Sequence, residues 1–480
     1  NSEGNPLIAV GDEAGSFTIK AGSSVDTTGA AGIAGGAVTI ETAAQDADGN
    51  GATDADIDIY GSITTTGGAG SSSAGAVGGN VSLETNNTGT ITFFTGADVT
   101  TTGGAGDGAG NNGGNAGTVT LNTNTAIITL TDTTINTTGG AAGSGGTQGA
   151  GGTITISDPL VISTNAVTLN TGATAGNVTI SSTINGSTDL DITSGTGDVA
   201  IQGIIGGTAA LSSLDINASS GNGDIEVTDI GDGTPNPAIT GLTTLGNVNT
   251  GTLTLDGSNY DFGAGVTFGS GTYTQAAGTG IFDVENGPVS FLGNVVTNGA
   301  FSVDTNGGNI TVAGNISATN TSDTLSLSDG SGQGTLTING TISGLKSVTL
   351  VGDTAVHLGG NITTSAVADG AIDITGPVTL EGDITIDADA ANTTVTFNSS
   401  ATVNSDASSS KRDLIIKTAG GAIAMQGAIG GSVSLDAITI NAGGVTGSGT
   451  IEVANIGASG VGVSGATAIG NTNTGTLTLD

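Results

Sequence analysis

The stretch Asp46-Ala47-Asp48-Gly49-Asn50-Gly51-Ala52-Thr53-Asp54-Ala55-Asp56 gathers more potential cation ligands than any other short segment of this chain. Its oxygen ligands fall at positions 1, 3 and 5, a glycine at 6 and an acid at 9, the spacing of an EF-hand Ca²⁺ loop. In such a loop the side-chain oxygens converge on one hard cation and the glycine permits the sharp turn. Ca²⁺ is therefore the cofactor to consider, with Asp46, Asp48, Asn50, Asp54 and Asp56 as ligands. Position 12 is Ile57, where a bidentate Glu is expected, so Asp56 or Asp58 would have to supply the last oxygens. The competing reading is a solvated acidic loop between strands at Val38 and Ile57, and it carries more weight because no flanking helices are expected.

Other polar groups offer less. Glu381, Asp383, Asp387 and Asp389 lie in EGDITIDADA, where paired carboxylates could bind metal or hydrolyse glycosides. The alternation of Asp383 and Asp387 with Ile384 and Ile386 instead reads as the solvent face of a strand. His357, the only histidine, sits between Val356 and Leu358 and points outward by the same rule, with no nucleophile or base beside it in sequence. Lys411 and Arg412 follow a Ser-rich run and read as an exposed loop. Parallel β-helices include polysaccharide lyases that set a Lys or Arg near acidic Ca²⁺ ligands. With only five basic residues in the chain, that reading is remote and no enzyme is expected. Thr-x-Thr elements could build a flat ice-binding face, but β-branched Thr more simply fills outward strand positions. Turn residues cluster at Asp232-Gly233-Thr234-Pro235-Asn236-Pro237 without a sharper signal.

What would position such groups follows from composition. The 480 residues include 89 glycines, 9 Phe, 3 Tyr, no Trp and no Cys. Val, Ile, Ala and some Leu, separated by Thr, Ser, Asn and Gly, disfavour helices and suit short strands between tight turns. The net charge is −37, from 42 acidic and 5 basic residues. Phosphate neutralisation needs Lys and Arg, so nucleic acid is excluded as a partner, and anionic membrane surfaces should repel the chain. No apolar run is long enough to insert into a membrane. Without cysteine there is no disulfide framework, so repetition and hydrogen bonding must supply stability.

Repeats decide the fold. DLDITSGTGDVAIQGIIGG (Asp189 to Gly207) returns as DLIIKTAGGAIAMQGAIGG from Asp413, and GNVNTGTLTLD from Gly246 returns as GNTNTGTLTLD from Gly470 at the same offset. The second copy stops at Asp480, inside the repeat, which suggests a piece of something longer. A shorter motif, apolar-x-apolar-x-Gly-x-apolar, carries Gly293, Gly314, Gly340, Gly360 and Gly382, one glycine for each turn of a repeating coil. Alternation gives a strand with one buried face, and the glycine lets the chain turn a corner. Upstream, TTG elements end at Gly29, Gly67, Gly103 and Gly139, a wider but equally regular spacing. Each precedes a Gly-rich stretch and then a strand beginning at Val38, Val81, Val119 or Ile154. Removing those stretches leaves about 22 residues per rung, variable loops on constant coils. Between Val119 and Gly139 the rung reads as three strands.

A rung this short cannot bury its own Val and Ile and must stack on another. The fold class expected is all-β, a right-handed parallel β-helix (β-solenoid) of about 20 rungs, near 100 Å long at the inter-strand spacing of about 4.8 Å. Its narrow interior would be filled by aliphatic residues. The expected divisions are 1–170, with long Gly-rich loops on the rungs; 171–412, the first copy of the long repeat; and 413–480, the start of a second copy. In the middle division each rung takes about 20–26 residues.

The pattern from Asp189 to Gly207 resembles repeats of large bacterial β-strand-repeat exoproteins of the filamentous haemagglutinin type, and ITTTGGAG…GGNVSL (Ile63 to Leu83) resembles another repeat style of such proteins. Together the resemblances cover nearly the whole chain. They imply a secreted, extracellular, cell-surface location, a right-handed parallel β-helix, and roles in adhesion, matrix or fibre formation. No binding residue carries over from them. The expected function is a structural rod that forms or extends an extracellular filament. The alternative is an adhesin segment that binds glycans or surfaces through loops or one face. Self-association, or continuation of the same chain end to end, is the expected partnership.

Overall fold

The computed structural model describes residues 16–42, 55–85, 88–217, 221–232, 237–285, 287–330, 332–367, 369–390, 392–441, 449–457 and 461–480. Every regular element among them is a strand, and the strand pairings are parallel. The chain forms two compact units, Asn1–Thr254 and Leu255–Asp480. Each is a parallel β-helix, as the repeats predict.

In the first unit a rung has three strands. Ile128–Thr131 pairs with Ile91–Phe93 before it and Leu160–Ser163 after it. Thr134–Asn136 pairs with Val99–Thr100 and Val167–Asn170. Ile154–Ile156 pairs with Val119–Asn122 and Val178–Ile180. Like stacks on like: Val81 lies between Val38 and Val119, Leu83 between Ile40 and Leu121. All six are buried, and burying such a side chain contributes about 1.5–3 kcal/mol. A rung of this length closes no core alone, so the interior exists only through stacking.

The glycine-rich stretches are not loose. Gly67 and Gly70 donate their N–H groups to the carbonyls of Thr102 and Ala105, and Gly103 and Gly106 to those of Thr138 and Ala141. On the returning leg Gly75 and Gly78 donate to Asn112 and Asn115, and Gly113 and Ala116 to Thr147 and Ala150. The period of three is that of an extended polyproline-II chain, which makes no bonds within itself and here bonds to neighbouring rungs. The two legs are sewn together. Ala76 N–H donates to Gly68, Gly104 to Ala76, Gly114 to Gly104, Gly140 to Gly114 and Gly149 to Gly140, at 2.8–2.9 Å. Apart from Ala76, every member of this zigzag is glycine, and the reason is steric: a Cβ on Gly104 would lie 2.0 Å from the Gly68 carbonyl oxygen.

In the second unit the strands Val289–Phe291, Ile310–Val312, Thr335–Ile338 and Ala355–Leu358 stack on one face. Asn294–Thr297, Ile316–Ala318, Ile342–Leu345 and Ile362–Thr364 stack on the next. The motif glycines Gly293, Gly314, Gly340 and Gly360 lie at the corner between those faces. A Cβ on Gly340 would approach the Gly314 carbonyl oxygen to 2.2 Å, which is why that corner repeats glycine.

The interior departs from expectation in one respect. It is not uniformly aliphatic: Tyr260, Phe262, Phe268, Tyr273, Phe282, Phe291 and Phe301 are all buried and form one cluster. Phe268 and Phe291 stack at 4.7 Å between centroids, and Tyr260 and Phe282 at 4.6 Å. The strands there are longer, Val266–Gln275 and Gly278–Val284, giving the rungs room for rings. The chain's few aromatics are concentrated rather than spread.

Candidate functional site

Asp46, Asp48, Asn50 and Asp54 lie outside the described residues, as do positions 233–236 of the turn cluster. Asp56 is described. Its Oδ1 accepts hydrogen bonds from Thr90 N at 2.8 Å and Thr90 Oγ1 at 2.9 Å. That carboxylate is tied to the next rung. Asp58 lies outside the bonded pair, and partial burial, with the charge of Asp56, raises its carboxyl above the usual range.

Asp56 belongs to a wider pattern. An Asn or Asp oxygen repeatedly accepts the backbone N–H of the following rung: Asn80 from Thr118, Asp98 from Thr134, Asn112 from Thr147, Asn115 from Ala150. Some run on as ladders, Asn177 to Asp198 to Asp224 to Thr252, and Asn294 to Asn315 to Thr341. In these bonds the acceptor sits in the earlier rung and the donor in the later one; Asp107, Asp158, Asn217 and Asn441 reach the other way, to Ser72, Thr123, Ser194 and Thr418. An ionised acceptor makes such a bond stronger than a neutral one does, so the Asp members are the stronger.

The second constellation is charged. His357 Nδ1 lies 2.8 Å from Glu381 Oε1, one rung on. Arg412 grips Asp406 through Nε and Nη2, both at 2.8 Å, and its backbone N–H donates to Ser405 Oγ. Lys417 Nζ lies 3.5 Å from Asp387 Oδ2. The Arg412 guanidinium holds the Asp406 carboxyl below its ordinary range. His357 therefore has the carboxylate partner that its sequence neighbours did not reveal, and Arg412 is pinned rather than free. The expected solvent face of EGDITIDADA holds, with Ile384 and Ile386 buried and the acids outside. His357 and Glu381 lie within hydrogen-bond distance; Arg412 and Lys417 sit against carboxylates. At exposed or partly exposed positions such pairs add little to stability. Among the described residues no group of three or more acids or histidines is placed to hold a metal.

Of the three tyrosines, Tyr260 and Tyr273 are interior, and Tyr60 is 39% exposed, stacked on Phe94 at 3.8 Å and 7°.

Sequence reasoning missed the inward threonines. Thr65, Thr101 and Thr137 are buried, and their hydroxyls donate to the carbonyls of Gly79, Gly117 and Gly152 at 2.6, 2.7 and 2.6 Å. Each closes the neck of a glycine-rich stretch. The signal was available: it is the first Thr of each TTG, two residues after an inward Val or Ile, hence on the inward face.

Compared with protein-family models, with curated proteins and with solved structures, the chain matches none.

Proposed function

We propose that this chain is a structural rod segment of a secreted bacterial surface protein, one that forms or extends an extracellular filament. A single observation carries the reading. Successive rungs are joined by three separate hydrogen-bond systems: the strands, the glycine-rich legs and the Asn/Asp side-chain acceptors. Loops that serve as ligand-binding surfaces vary and stand free, whereas these commit their backbone groups to neighbouring rungs. All the bonds add along one direction, which suits resistance to tension.

End-to-end association belongs to the same reading. Electron microscopy of the purified chain tests the proposal. Filaments are expected. Discrete particles from the unaltered chain at high concentration would overturn self-assembly.

The second reading, a glycan- or surface-binding adhesin segment, draws on the outward Tyr60–Phe94 pair. Aromatic surface is where sugars make apolar contact. Glycan-array binding that disappears in Tyr60→Ala would favour it over the rod.

A further inference from the structure

Corners of both units are closed by a hydroxyl. Thr171 donates to Gly176 at 2.6 Å, Ser194 to Gly197 at 2.7 Å, Thr305 to Gly308 at 2.5 Å and Thr418 to Gly421 at 2.9 Å. In the rung after Thr305 that position is occupied by an acid. Asp304 pairs with Ser328, and Ile310 with Leu336, so Asp329 stands where Thr305 stands, and Gly334 where Gly308 stands. Asp329 is 0% exposed. Its Oδ2 accepts the N–H of Asp353 at 2.7 Å, and its Oδ1 is enclosed with no hydrogen-bond partner. A Cβ on Gly334 would lie 2.7 Å from Asp329 Cβ, so the acid is packed against the corner glycine as a threonine would be.

A carboxylate cannot do what the hydroxyls do, because it has no hydrogen to give; a protonated carboxyl can. Leaving a buried charged oxygen unpaired is strongly unfavourable. The charged groups facing Asp329 add to that penalty: Asp304 from the rung before and Asp353 from the rung after, both acids. We propose that Asp329 is a pH-sensitive corner: protonated, its carboxyl closes the corner as the threonine hydroxyls do elsewhere, and loss of that proton leaves the enclosed Oδ1 charged and unpaired and loosens the corner and the rungs it joins. Burial is the largest influence on this group and raises its carboxyl above the usual range, against the backbone N–H groups of Asp353 and of Asp329 itself, which favour the charged form. The Gly330 backbone beside it, at φ 72°, already holds a turn that only glycine adopts freely.

Hydrogen exchange, read by mass spectrometry on peptides spanning 329–336 in the whole chain, tests this. Comparing variants at one pH cancels the intrinsic pH dependence of exchange. Asp329→Asn keeps the shape without the titration, and Asp329→Thr restores the hydroxyl. Wild type and both variants should exchange alike in mild acid. As pH rises, wild type should exchange faster, by about tenfold for each unit by which its native carboxyl is raised. A wild-type to variant ratio that stays flat with pH would overturn the proposal. If neither variant folds, wild type alone decides: protection of 329–336 relative to the corner at 305–312 should fall with rising pH, and a constant ratio would overturn it.

Discussion

Asn217 and Asn441 occupy equivalent positions in the two copies of the long repeat and make the same set of bonds. Asn217 Oδ1 accepts the N–H of Ser194 at 2.8 Å and its Nδ2 donates to Ser194 Oγ at 2.9 Å. Asn441 does the same to Thr418, at 2.7 and 2.9 Å. Their carbonyls accept from Asn247 and Asn471, each at 2.7 Å. Both have positive φ, 49° and 45°, a conformation that Asn tolerates better than most residues. The long repeat is thus retained within this chain as a buried polar knot, not only as an apolar pattern.

Removing that knot should destabilise strongly. Asn217→Ala loses two side-chain bonds at a buried site and keeps a strained backbone, a loss of roughly 2–4 kcal/mol. Asn217→Gly relieves the backbone and should lose about 1 kcal/mol less. Urea unfolding followed by limited proteolysis of the first unit would measure both, and Asn441 should give the same ranking in the second unit.

The glycine zigzag makes a steric prediction. Gly104→Ala places a methyl 2.0 Å from a backbone oxygen, whereas Gly110 has open space around it and a positive φ of 79°. Gly110→Ala should lose about 1 kcal/mol from backbone strain alone. Gly104→Ala should lose clearly more and should expose the stretch 103–117 to proteases.

Tyr273 buries a hydroxyl that has no hydrogen-bond partner, and burial pushes its ionisation well up. Tyr273→Phe removes the unsatisfied oxygen and leaves the ring. Thermal unfolding should show a variant equal to wild type or more stable by about 1 kcal/mol. A clear loss would mean that the hydroxyl has a partner in solution.

Asp191 gives the pH dependence its sign. Burial raises its carboxyl, and Asp215 and Asp189 raise it further. The unfolded chain gives up this proton in the ordinary carboxylate range, while the folded chain keeps it to higher pH. Stability therefore falls as pH rises through that interval and is level above it. Asp58 acts in the same sense, and Asp406, lowered by Arg412, in the opposite one. Calorimetry across mild acid to neutral pH should show Asp191→Asn melting above wild type at neutral pH, with the gap closing in acid.

Asp56 separates the two readings of its loop. As an inter-rung acceptor it should matter equally with and without Ca²⁺, and Asp56→Ala should lose about 1–2 kcal/mol in either condition. Melting in chelator and in millimolar Ca²⁺ checks this. A loss that appears only with Ca²⁺ would make Asp56 a cation ligand.

Much of the fold was legible because stacking repeats the same inward residue. Val38, Val81 and Val119 could be aligned by eye, and the structure pairs them. What escaped was anything decided between rungs rather than along them. Glu381 lies one rung beyond His357, so no local spacing marks the pair. Asp56 reads as a metal ligand along the chain and as a rung tie across it. Asp329 looks like one more surface acid until alignment with Thr305 puts it inside. The aromatic cluster was hidden for a similar reason: Phe268 and Phe291 belong to different rungs, and their stacking appears only when the coil is wound.

The direction of the side-chain acceptors has a consequence for how the chain comes to its final form. Asn80, Asp98, Asn112, Asn177, Asn294 and Asn361 each offer an oxygen to a residue that follows them in sequence. At these positions a finished coil presents waiting acceptors, already in position, to chain that has not yet arrived, whereas Asn217 and Asn441 reach back to the rung before them. Nucleation is needed once; thereafter each turn is a mould for its successor, and the separations to be closed stay at a few tens of residues whatever the total length. A polypeptide that emerges amino end first can wind itself up as it appears.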